Sequence, residues 1–234
     1  KKSFNSGFDV SYNGIQQNFG IFRGAHLSSP EDFYLAINNG QPFFLDQFSY
    51  DIANPRQEVN HHIVKASAYK RFANLGKFSF DYSFQVNNRK EFDIRRGENS
   101  DLPSMDLRLI THSAMVSHLL ERDRWTLESG ISGLVQDNFP DPSTKARRLI
   151  PDYYRYDVGA FSIFKYNLTD HLRAEIGARY DFNRYDAYKY YDASTWESQY
   201  ANIFPEFFVK ESHSRVLVRP ILDYHNFSAN IGVA

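Results

Sequence analysis

Apolar and polar side chains alternate strictly along several stretches of this chain. From Lys77 to Asn87, Phe78, Phe80, Tyr82, Phe84 and Val86 fall on one parity, while Ser79, Asp81, Ser83, Gln85 and Asn87 fall on the other. A period of two puts each set on its own face of a β-strand, whereas a helix would scatter the apolar groups around its axis. Leu172 to Asn183 repeats the pattern: Leu172, Ala174, Ile176, Ala178, Tyr180 and Phe182 oppose Arg173, Glu175, Gly177, Arg179, Asp181 and Asn183. Phe8, Val10 and Tyr12 alternate with Gly7, Asp9, Ser11 and Asn13, and Phe227, Ala229, Ile231 and Val233 alternate with Ser228, Asn230 and Gly232. Trp125, Leu127, Ile131 and Val135 share one parity, with Ser129 and Gly133 in the gaps. Three weaker strands fit between these. Glu58 to Phe72 places Val64, Ala66, Ala68 and Phe72 on one side. Asp106 to Leu120 is ambiguous in phase, because Leu107 and Leu109 disagree with Ala114 and Val116. Tyr154 to Tyr166 changes parity between Ala160 and Phe161, which predicts a bulge. The pattern predicts eight strands.

The joints between these strands alternate in length. Short ones fall at Ala73–Lys77, Glu121–Arg124 and Asn167–His171, and long ones at about Gly24–Gln57, Gly97–Met105, Phe139–Tyr153 and Tyr191–Asp223. An up-and-down meander with tight turns at one end and long loops at the other is the habit of outer-membrane barrels. The first long joint also predicts a helix, with Ser29 as N-cap, Pro30 in the first position and Asn39-Gly40 as the stop.

Composition sharpens this picture. The 234 residues carry 27 basic and 28 acidic side chains, a net charge of −1, which lacks the basic excess of a nucleic-acid binder. The absence of cysteine excludes disulfides, zinc-thiolate sites and a cysteine nucleophile. No run of about 18 apolar residues offers a membrane-spanning helix. The mean hydropathy of −0.55 leaves a membrane barrel open, because alternating strands average to a low value. Aromatic residues make up 17% of the chain, more than its sparse Leu and Ile would lead a helical core to expect. A soluble barrel or sandwich would bury the apolar face, and a membrane barrel would turn it to lipid around a hydrated lumen. The dense polar face (Asp81, Gln85, Asn87, Arg89, Arg173, Glu175, Arg179 and Asp181) suits either. Aromatic belts favour the membrane: Tyr180, Phe182, Tyr185, Tyr188, Tyr190 and Tyr191 crowd one loop end, and Trp125 sits at a turn end.

Several segments resemble TonB-dependent outer-membrane receptors of the Bacteroidetes type. They are Pro55 to His62, Asn88 to Arg96, Arg147 to Tyr153, and Gly177-Ala178-Arg179-Tyr180-Asp181. The resemblance implies an all-β, antiparallel up-and-down transmembrane barrel of which these eight strands are part, the whole being roughly 22-stranded. Residues 1–234 are then expected to be an internal piece of a single barrel domain, with the plug domain and TonB box lying outside the sequence. A self-closing eight-stranded barrel is the rival, against which the long joints weigh. The implied setting is the bacterial outer membrane. The implied partners are membrane lipid, lipopolysaccharide and the TonB energising complex acting through the plug. The implied cargo is a small molecule such as a ferric chelate of the siderophore kind.

Candidate chemistry is sparse. His61-His62 and His112-Ser113 are neighbours on strands, so each pair splits between opposite faces and neither makes a metal site or a nucleophile–base pair. No Gly-x-Ser-x-Gly elbow or phosphate-binding glycine loop is present, and no enzyme, metal site or cofactor is expected. The binding chemistry lies in a basic and aromatic rim: Arg89, Arg95, Arg96, Arg147 and Arg148 near Tyr153, Tyr154, Tyr185 and Tyr188. Guanidinium groups take carboxylate or catecholate oxygens, and tyrosines stack on flat ligands. Pairing with Glu91, Asp93, Glu98 and Asp101, or with lipopolysaccharide phosphates, is the plainer role for each arginine. Three functions stay open: a receptor barrel for energised uptake, a small structural or adhesive outer-membrane barrel, and a soluble β-protein that binds through its polar face.

Overall fold

The computed structural model describes residues 4–22, 29–40, 49–95 and 97–234. Eight long strands form an antiparallel meander: β1 (Ser6–Gly20), β2 (Arg56–Phe72), β3 (Gly76–Phe92), β4 (Met105–Glu121), β5 (Trp125–Pro140), β6 (Asp152–Asn167), β7 (Arg173–Asp192) and, last in the chain, β10 (Ile221–Val233). Between β7 and β10 lie helix α2 (Ala193–Gln199) and the hairpin β8 (Phe208–Ser212) and β9 (Arg215–Val218). The count of eight expected from periodicity is thus corrected to ten. The extra hairpin is invisible to periodicity because its strands are too short to establish a period. Of the described residues 65% are in strands and 12% in helices. Helix α1 (Pro30–Asn39) forms as its signals predict: the Asp32 N–H donates to Ser29 Oγ at 3.1 Å, and Gly40 closes it at φ 65°.

One side of β7 pairs with β6. The other side pairs with β10 along Ala174–Asp186 and then with β9 along Lys189–Asp192. Among the described residues no backbone pairing joins β1 to β10, so the sheet is open. The tight turns between consecutive long strands lie at one end and the long connections, with the β8–β9 hairpin inside the last of them, at the other.

Register carries the alternation across the whole sheet. Phe8, Ala68, Phe80, Val116, Ile131, Ala160, Tyr180 and Phe227 form one continuous cross-strand row. The ambiguous phase of β4 is settled by it: Ala114 and Val116 join the apolar face, and Leu107 and Leu109 turn to the polar one. The expected bulge in β6 does not occur, since its pairing with both neighbours is unbroken. Phe161 and Ile163 belong to the polar face and fill space over glycines there. The Phe161 ring lies directly against Gly130, where a Cβ would come within 2.6 Å of it.

Nothing among the described residues packs over the apolar face. Ile131 is 63% exposed, Val158 54%, Phe80 45% and Ile231 82%, and apart from Pro55 and Pro140 the buried apolar side chains among the described residues are Phe92, Val216, Val218 and Trp196. Trp196, Val216 and Val218 cluster under the β8–β9 hairpin against Tyr191 at the upper end of β7. A sandwich or a soluble barrel would bury the apolar face of every long strand.

The apolar face is also bounded at both ends. At the turn end it finishes in rings: Phe72 on Phe78, Phe78 stacked on His118 at 4.4 Å, and Trp125 beside Phe164. At the loop end it gives way to Asn60, Asn88 and Arg108 at one level. Asp137 on β5 lies one row lower, and Arg184 and Asp223 on β7 and β10 one row lower again. The turns step the same way. The β2–β3 hairpin closes at Phe72–Gly76, while β6–β7 runs past that level to Asn167–Arg173. The boundary thus steps by about one residue per strand, the stagger of strands that lie about 4.8 Å apart and tilt by about 40° to the sheet's long axis.

Candidate functional site

The polar face is concave. It encloses a cleft of about 850 Å³ that runs from β2 to β10 and is floored by Lys65, Asp81, Gln85, Arg155, Asp157, Arg179 and Asp181, among others. Two ion pairs stand in it on adjacent strands: Arg155 with Asp157 and Arg179 with Asp181, each forked, with Nη2···O distances of 2.5 Å. Asn183 also donates to Asp157, and Ser67 donates to Asp81 at 2.6 Å. Strand geometry explains both ion pairs, because residues two apart share a face. The sequence carries the tripeptide Arg-Tyr-Asp at 155–157, 179–181 and 184–186. The first two face the cleft with their charges and turn Tyr156 and Tyr180 outward. The third has the opposite phase, so Arg184 and Asp186 face outward. They bond neighbouring segments there: Arg184 forks onto Asp223 at 2.6 and 2.7 Å, and Arg219 onto Asp186 at 2.8 and 2.7 Å.

The structure divides the expected basic and aromatic rim into separate places. Tyr153 and Tyr185 meet on the concave side with ring centroids 5.7 Å apart. Tyr153 donates to Gln136 Oε1 at 3.1 Å, and Arg155 lies 5.5 Å from the Tyr185 ring. Tyr154 belongs to the outward face, as does Tyr188, against whose ring Arg219 rests at 5.1 Å. Tyr185 and Tyr191 also leave the outward aromatic belt in which their neighbours stand. Arg89 pairs with Glu91, whose carboxylate also accepts from Gln57 at 3.1 Å. Arg95 fastens loops rather than lining a site. Its Nη1 donates to the carbonyls of Pro103 at 3.1 Å and Thr144 at 2.7 Å, tying the β3–β4 and β5–β6 loops together. Arg96 lies outside the described residues. Arg147 approaches Asp192 at 4.0 Å, and Arg148 bonds Asp152 at 2.9 Å. Arg147, Arg148 and Tyr188 share one rim cleft with Lys145, Lys189 and Arg215, which periodicity and composition do not single out. In the same loop Asp141 caps a short turn, and the Ser143 N–H donating at 2.8 Å holds its carboxyl below the usual carboxylate range.

The histidine pairs divide as strand geometry requires. His61 Nδ1 is 3.2 Å from Asn87 on the concave side, and His62 Nδ1 is 2.6 Å from the Tyr12 hydroxyl on the outward one. His112 similarly meets Tyr82 at 2.8 Å, and His225 meets Tyr180 at 2.6 Å, both outward. No group of three metal-binding side chains occurs among the described residues. Arg155, Lys189 and Arg215 were missed for different reasons. The repeated Arg-Tyr-Asp was a legible signal for Arg155, but nothing local marks Lys189 or Arg215, which the β7–β9 pairing brings to the rim. No protein-family model, curated protein or solved structure matches this chain, so the likeness to TonB-dependent receptors rests on the short segments that carry it.

Proposed function

We propose that this chain is a wall segment of a bacterial outer-membrane β-barrel, and that the barrel is a TonB-dependent receptor for uptake of a ferric-siderophore-like solute. The observation that carries the membrane reading is the unpacked apolar face lying back to back with a concave polar cleft. In water, an exposed aromatic and aliphatic surface of this extent would drive association. In lipid it meets its proper solvent, and the ion pairs of the cleft stay hydrated in a lumen. The open edges of β1 and β10 fit the same reading, since unmet N–H and C=O groups in hydrocarbon cost several kcal/mol each and call for further strands beside them. The cargo rests on the receptor resemblance and on the chemistry of the concave wall. Its Arg155, Arg179, Tyr153 and Tyr185 offer guanidinium and phenol groups to an anionic chelate, for binding and passage rather than catalysis.

Two measurements on the intact protein test the two halves separately. Fractionation of cells is expected to place it in the outer membrane, resistant to carbonate and released by detergent; recovery in the aqueous fraction would refute the wall. Uptake of labelled ferric siderophores is expected to fall on deletion of the gene and on collapse of the energising gradient. Outer-membrane location with unchanged uptake would favour the structural or adhesive barrel instead.

A further inference from the structure

A second cleft, of about 350 Å³, lies at the long-loop end between the β5–β6 loop and the upper part of β7. Five of its twelve lining residues are cationic, Lys145, Arg147, Arg148, Lys189 and Arg215, against a single carboxylate, Asp192. Asp152 takes up Arg148, and Asp192 approaches Arg147 only at 4.0 Å with both side chains largely in solvent. Lys145 and Arg215 meet no carboxylate among the described residues. Pairing with β6 ends at Tyr188, so the β7 edge from Lys189 to Asp192 that faces this loop has no strand beside it. The cleft therefore gathers excess positive charge beside an unpaired backbone edge.

Its position selects the occupant. Tyr188, Tyr190 and Asp192 continue the outward parity of Tyr180 and Phe182, and Arg215 stands opposite Asp192 in the β7–β9 register on that same side, while Lys189 and Tyr191 have the concave parity and reach the cleft at the open β7 edge. Arg148 likewise bonds Asp152, whose parity on β6 is outward. Along the outward face of β7 the apolar band thus ends at Phe182, the Arg184–Asp223 and Asp186–Arg219 ion pairs follow, and the basic cleft lies above them. A surface ordered this way meets acyl chains, then a headgroup zone, then the anionic sugars of a glycolipid. We propose that this cleft binds the phosphate groups of lipopolysaccharide on the outside of the barrel wall, distinct from the concave cleft. Arginine forks a phosphate through two N–H groups, lysine adds a point charge, and the exposed Tyr190 hydroxyl offers a further donor. The inference rests on the outward face meeting lipid.

Native mass spectrometry of the full-length protein in detergent tests it, with bis-phosphorylated lipid A, the same lipid dephosphorylated, and inorganic phosphate as probes. The phosphorylated lipid is expected to bind more tightly than the dephosphorylated one by about tenfold for each charge-assisted contact made. The combined substitutions Lys145→Gln, Arg147→Gln and Arg215→Gln are expected to abolish that preference, and Lys145→Gln alone, on an exposed loop, to reduce it. Equal retention of both lipids by the unaltered protein overturns the site while leaving the membrane wall intact. Failure to retain either lipid overturns both. Inorganic phosphate that binds as tightly as the lipid and displaces it assigns the cleft to soluble anions and overturns the lipid proposal.

Discussion

Phe80 sits on the unpacked face of β3, opposite Ala68 on β2 and Val116 on β4, with 45% of its surface open. A phenylalanine buries about 200 Å² when enclosed, so about 90 Å² of this ring is open and, on the proposed membrane reading, meets lipid. At about 25 cal/mol/Å², Phe80→Ala forfeits about 2 kcal/mol of that contact. Phe80→Arg adds a further ~2–4 kcal/mol near the bilayer midplane. No carboxylate stands among its outward neighbours Phe78, Tyr82, Ala66 and Ala114 to offset the charge. Ser79 is the internal control: one residue away on the same strand, it points to the polar side between Tyr69 and Ser117, where an arginine stays hydrated and costs under about 1 kcal/mol. Denaturant titration of the protein refolded into phospholipid vesicles, followed by gel mobility and tryptophan emission, measures all three. Phe80→Arg and Ser79→Arg within about 1 kcal/mol of each other would mean that the two faces do not differ in solvent, and the lipid-facing role of the unpacked face would be refuted.

Gly130→Ala should destabilise the protein by ~1–3 kcal/mol through overpacking, because the new Cβ would come within 2.6 Å of the Phe161 ring and 3.0 Å of the Val116 carbonyl oxygen; in a Phe161→Ala background the same substitution should cost less, and an undiminished cost there would refute the ring contact. Trp196→Ala removes the centre of the cluster under the β8–β9 hairpin and should cost ~3–5 kcal/mol there. Hydrogen exchange would show the Val216 and Val218 amides losing protection while the long strands keep theirs, and uniform loss would contradict a separate rim cluster. The cap at Asp141 gives a pH dependence: with its folded pKa depressed by the Ser143 N–H, its stabilisation is present above the unfolded value and disappears as pH falls through the folded one. The Ser143 amide shift, followed by NMR, should titrate with a midpoint below that of an ordinary carboxylate, and a midpoint at or above it would remove the capping role.

Alternation is a local property, so the sequence by itself determined the long strands, the two faces of those that alternate strictly and the end at which the tight turns between them lie; the faces of β4 and β6 were decided by register. It settled the division of His61 from His62 and of His112 from Ser113, because neighbours on a strand cannot share a face. It also specified helix α1, whose cap, first proline and closing glycine are all contiguous. Phe161 and Ile163 misled the reading for a physical reason. An apolar residue on the polar face looks like a slip in register until the glycine across the sheet that accommodates it is known. The hairpin β8–β9 was hidden because its few residues are held by Trp196, a contact with α2 rather than a period.

The candidate sites were legible only in part. Arginines and tyrosines at the loop ends were visible as types, but tertiary pairing decided what each one does. Arg95 holds two loops together, Arg89 answers Glu91, and Arg147 and Arg148 join Lys189 and Arg215 at the rim. The three Arg-Tyr-Asp segments make the point most directly. Identical in sequence, two turn their charges into the concave cleft and one turns them outward, where Arg219 and Asp223 await them. Strand phase and neighbours, which only the assembled sheet fixes, decide which solvent each charge meets. The same holds for the apolar face as a whole: alternation creates it, and only the curvature of the finished sheet leaves it convex and unpacked, with the polar side chains gathered in the hollow.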